Sequence, residues 1–147
     1  MQHLSSLVTG APRAPRWHLT CVVMRAHDVY AAFAATGEPP VADDPQALRA
    51  LADRHLVALD ETGTRIRMAH PFSADRDGAR VDAGGRTWWG NCAWDGLGIA
   101  AALDLADATV TSNGVTLELR DGALVDPSPV FHVAVPALQW WEDIAFT

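Results

Sequence analysis

Three tight-turn signals cut the chain between residues 56 and 119, each flanked by short apolar runs: Asp60-Glu61-Thr62-Gly63, Gly84-Gly85 and Asn113-Gly114. Gly-Gly and Asn-Gly loops supply the positive φ angles that two-residue hairpin turns need, and strands joined by such turns run antiparallel. Residues 56–59 are therefore expected to pair with 65–68, 80–82 with 86–89, and 108–111 with 115–119. Shorter strand candidates are 124–125 and 130–135. Helical spacing appears in three places. At 28–36, Val29, Ala32, Phe33 and Thr36 share a face, with Asp28 as N-cap and Gly37 just past the end. At 45–54, Asp44 caps, Pro45 opens the first turn, and Leu48, Leu51 and Ala52 point inward. A third helix is expected from Asn91 to about Leu105.

These elements define an α+β chain. Residues 28–70 form a small winged-helix-like N-terminal module, packed on a mostly antiparallel sheet with a Cys-bearing helix in residues 71–147. Residues 1–27 have no acid and two prolines, which suggests a disordered leader. The aromatic ending, 138–147, suggests that the chain continues in a parent protein. In the module's second helix Asp44 and Asp53 offset Arg49 and Arg54, so packing is favoured over DNA reading.

Composition removes several function classes. The chain has 147 residues, 49% apolar and 20% charged, enough apolar material for one folded domain. A net charge of −7 disfavours nucleic acid as a partner. Two cysteines are too few for a disulfide framework or a four-thiolate zinc site. The six histidines include no closely spaced pair. No apolar run approaches the ~20 residues that span a bilayer, so a cytoplasmic protein with free thiols and no membrane partner is expected.

The run Trp88-Trp89-Gly90-Asn91-Cys92-Ala93-Trp94-Asp95 carries the chemistry. With Asn91 as N-cap, Cys92 falls in the first helical turn, where free N–H groups and the dipole favour a thiolate. Asp95, three residues on, shares that face. Trp89 and Trp94 are the expected apolar walls of a substrate site. They would raise the carboxyl pKa and the helix N-terminus would lower it; the sequence leaves that balance open. Cysteine hydrolases need a histidine base, and no spacing ties His70 or His132 to Cys92. The plainer alternative makes Cys92 a small buried residue at a helix start, with Asp95 its dipole partner.

From residue 28 to 147 the chain resembles the alkylmercury (organomercurial) lyases. The resemblance rests on Gly37-Glu38-Pro39-Pro40, the hairpin at 59–66, His70-Pro71-Phe72-Ser73-Ala74, Cys92-Ala93-Trp94-Asp95 and the helix that follows. It implies protonolysis of a carbon–mercury bond to a hydrocarbon and Hg(II). Cys92 would be a mercury-binding thiolate and Asp95 the acid that protonates the departing carbon. No resident cofactor is implied. Hg(II) is the product, and an external thiol would release it to low-molecular-weight thiols or a mercuric reductase. The family's second catalytic cysteine follows an aromatic stretch like 140–146, and this chain has none there; Cys21 lies outside the match. The chain would then be a truncated or diverged member. Two other readings compete: a non-catalytic thiol protein binding a soft metal through Cys92, and a winged-helix regulator with a degenerate lyase-like domain.

Overall fold

The protein is described here as a computed structural model covering residues 24–132 with Pro136, Gln139 and Trp140. Most of the expected leader, Cys21, and most of 133–147 lie outside the described residues. Three helices and eight strands are present among them: α1 (Ala26–Thr36), α2 (Pro45–Ala52), β1 (Ala58–Leu59), β2 (Ile66–Ala69), β3 (Phe72–Ser73), β4 (Ala79–Ala83), β5 (Arg86–Gly90), α3 (Ala93–Ala102), β6 (Ala108–Ser112), β7 (Val115–Arg120) and β8 (Ala123–Leu124). The strands form two antiparallel sheets, β1-β2-β3 and β5-β4-β6-β7-β8. The architecture is α+β.

Local chemistry accounts for most boundaries. Asp44 Oδ1 accepts the N–H groups of Gln46 and Ala47 at 2.9 and 3.2 Å, so α2 starts at Pro45 as expected. Helix α1 starts three residues earlier than an Asp28 cap implies. Arg25 is its N-cap, and Asp28, three positions into the helix, accepts from the Arg25 N–H at 3.1 Å. Asp60 Oδ1 closes the first hairpin by accepting from the Thr62 hydroxyl and the Thr64 and Arg65 N–H groups. The strand expected at 130–135 does not form at residues 130–132, and 133–135 lie outside the described residues.

The larger sheet alternates between a buried and a polar face. Ala79, Val81, Trp88, Ala108, Val110, Leu117 and Leu119 point inward, and α3 lies over that face. Gly96 makes the approach close: a Cβ there would sit 2.4 Å from Val110 Cγ1 and 3.4 Å from Ala79 Cβ. Helix α1 joins the same core. Phe33 stacks on Phe72 with ring centroids 5.5 Å apart. Carbonyls left open at the end of α1 are taken up by β5: the Arg86 guanidinium donates to Ala34 O at 2.8 Å and the Trp88 indole N–H to the same oxygen at 3.2 Å. The two sheets and three helices therefore share one continuous core. The expected 70/71 boundary falls within the turn joining the paired strands β2 and β3.

Candidate active site

Strand β5 ends at Gly90 and α3 begins at Ala93, so residues 91 and 92 cross from sheet to helix. The N-cap is Cys92, with extended φ −142° and ψ 175°, not Asn91 as the sequence suggested. Asn91 points its N–H at Asp95 instead, at 3.1 Å from Oδ2, and the Cys92 N–H donates to the same oxygen at 3.3 Å. The Asp95 N–H in turn donates to the Cys92 sulfur. The Cys-x-x-Asp spacing is thus a capping box, with a thiol standing where Ser or Thr is usual.

That exchange brings the two side chains together. Cys92 Sγ lies 3.8 Å from Asp95 Oδ2, with the thiol donating. Asp95 is 6% exposed, and Cys92 is half-buried and free of any disulfide. Gly90 makes room for the carboxylate: a Cβ at that position would meet Asp95 Cβ at 2.7 Å. Burial pushes the Cys92 thiol above its ordinary pKa. The Asp95 carboxylate raises it further, against the lowering pull of the Asp95 and Trp94 N–H groups. The expected thiolate at a helix N-terminus is therefore corrected: burial beside an acid outweighs the helix end, and the resting sulfur favours its proton.

A third group completes the cluster. The turn between β2 and β3 places His70 Nδ1 3.2 Å from Asp95 Oδ1. His70 is 37% exposed along its side chain, against 8% for Asp95. All three residues open onto a cavity of about 750 Å³. Its lining includes Ser112, Val115 and Leu117 from β6 and β7, together with Val130, Phe131 and Trp140.

Of the two expected aromatic walls, the structure brings only Trp94 to this cavity, edge-on to Phe131 with ring centroids 5.7 Å apart. Trp89 stands across from Arg80 on the sheet face opposite α3 and is not among the described residues lining the cavity. The period-two alternation of β5 is the reason: burying Trp88 turns Trp89 outward. His70, Phe131, His132 and Trp140 also border the cavity, and nothing in their sequence spacing ties them to Cys92. The apolar-aromatic character of Phe131 and Trp140 was the one signal available.

A thiol, a buried carboxyl and an imidazole thus meet on one partly apolar cavity. The family profile described as MerB, alkylmercury lyase, matches residues 72–147, just over half of the chain, and the chain belongs to that family. Among solved structures, the mercury-bound form of MerB2 is similar at 27% identity, with a TM-score of 0.43. The similarity covers 57% of this chain and 43% of that one, so the chain spans less than half of that protein's length. No curated protein matches the chain. No helix among the described residues is long and apolar enough to cross a membrane.

Proposed function

We propose that the chain carries an organomercurial lyase site, cleaving a carbon–mercury bond to a hydrocarbon and Hg(II). Cys92 is the mercury-binding residue and Asp95 the proton donor. One observation carries the reading: the Cys92 thiol and the Asp95 carboxyl touch each other and face the same cavity.

The chemistry follows from that contact. An organomercurial cation, R–Hg⁺, exchanges its outgoing ligand for the Cys92 sulfur, and the thiol proton passes to Asp95 Oδ2, its nearest acceptor at 3.8 Å. Sulfur outcompetes oxygen for so soft a metal, and its electron density weakens the carbon–mercury bond. The protonated Asp95 then gives its proton to the departing carbon. R–H leaves, and mercury stays on sulfur. The proton lost by the thiol is the one gained by the carbon, so the step balances without a cofactor. Trp94, Phe131, Val115 and Leu117 give the organic group an apolar berth. Among the described residues no three His, Cys, Asp or Glu side chains are grouped to hold a metal ion. In this reading the second sulfur on mercury comes from an external thiol, which also carries the product away.

The test is a single-turnover reaction with phenylmercuric acetate and excess thiol, read by gas chromatography. The unchanged protein is expected to release one benzene per site. Cys92→Ser is expected to release none. Asp95→Asn is expected to take up the mercurial and lose the general-acid contribution, about 10²–10⁴-fold in rate. Mercury uptake without benzene from the unchanged protein would instead identify a soft-metal binder.

A further inference from the structure

The two oxygens of Asp95 are held in different ways. Oδ2 accepts two backbone N–H groups and faces the Cys92 sulfur. Oδ1 is met instead by His70 Nδ1, 3.2 Å away. Turning the carboxyl about Cβ–Cγ would pull Oδ2 off both N–H groups, so these anchors already restrain its plane. A second anchor on the other oxygen resists the same rotation, and a carboxylate has lone pairs enough for both. We propose that His70 is a positioning residue for Asp95, gripping Oδ1 so that Oδ2 stays turned toward the sulfur and toward the atom that Asp95 must protonate.

The fold holds His70 in that place. Its turn is wedged between the end of β5 and α3, because glycines leave the space: a Cβ on Gly90 would come within 3.1 Å of Pro71 O, and one on Gly98 within 3.1 Å of Pro71 Cβ. Residues 25 apart in sequence are thereby locked side by side. Rings that orient a catalytic or metal-bound group from behind typically matter about 10–100-fold. His132 also borders the cavity but is exposed.

This inference rests on the lyase reading for its kinetic arm but has a second arm that does not. In the kinetic arm, His70→Ala should bind phenylmercury with unchanged stoichiometry while benzene release slows about 10–100-fold. His70→Asn, whose amide N–H sits near the place of Nδ1, should regain most of the rate. Release from His70→Ala at the unchanged protein's rate overturns the proposal and leaves the lyase reading intact. The second arm is the ¹⁵N resonance of the His70 imidazole, which needs no turnover. Asp95→Asn should shift the His70 Nδ1 signal more than that of any other histidine. A His70 signal indifferent to that substitution overturns the proposal, whether or not the protein releases benzene. Absence of benzene from the unchanged protein sinks the lyase reading alone.

Discussion

Burial and the adjoining Asp95 carboxylate keep a proton on Cys92, and that proton is what the proposed reaction spends on carbon. The sign of the pH dependence follows. A thiol whose pKa is raised reacts slowly at neutral pH, because the thiolate is the nucleophile, and accelerates as pH climbs through a range above that of an ordinary cysteine. Alkylation of Cys92 by iodoacetamide, followed by peptide mapping, should show this profile. Asp95→Asn removes one of the raising influences and leaves burial in place, so its midpoint should move down without falling to the value of an activated thiol. An unchanged midpoint would mean that the two groups do not sense each other.

At the level of single elements, three glycines set how closely helix, sheet and turn approach. Gly90→Ala pushes a Cβ into Asp95 and Pro71, and overpacking of this kind costs about 1–3 kcal/mol. Urea denaturation should report that loss, and benzene release should fall with it because the displaced residue is Asp95. Asp44→Ala is the contrasting case. It removes two hydrogen bonds at the start of α2 and should cost about 1 kcal/mol while leaving the site's chemistry unchanged. Much of this level was legible in the sequence, because turns and caps are local: Asn113-Gly114 and Gly84-Gly85 act through their own backbone, and the Asp44 side chain binds N–H groups two and three residues on. The α3 N-cap lies one residue past the better capping type, Asn91, because the exchange between Cys92 and Asp95 favours the later start. Trp88 and Trp89 look alike in the sequence, and only strand alternation assigns each a face. The pairing of His70 with Asp95 was beyond sequence reading, since it depends on the β2–β3 turn being carried across the core to α3.

Across the whole molecule, the site depends on a core that runs from α1 to β7 without a break. Phe33 is fully buried, stacks on Phe72 and so joins α1 to the sheet that carries His70. Phe33→Ala should cost about 3–5 kcal/mol, a large share of the roughly 5–15 kcal/mol that holds a domain together. Tryptophan fluorescence and circular dichroism should lose structure in one shared transition; two separate transitions would mean that α1 and the Cys92 helix belong to independent units. The central claim is that one sulfur holds mercury while its neighbouring carboxyl protonates carbon. Native mass spectrometry after mixing with phenylmercuric acetate tests it most directly, in a Cys21→Ser background where Cys92 is the only thiol. The account predicts that Asp95→Asn accumulates protein bearing one intact phenylmercury group on Cys92, whereas the Asp95 protein carries mercury stripped of its ring. Stripped mercury on the Asp95→Asn protein, formed at an undiminished rate, would contradict it.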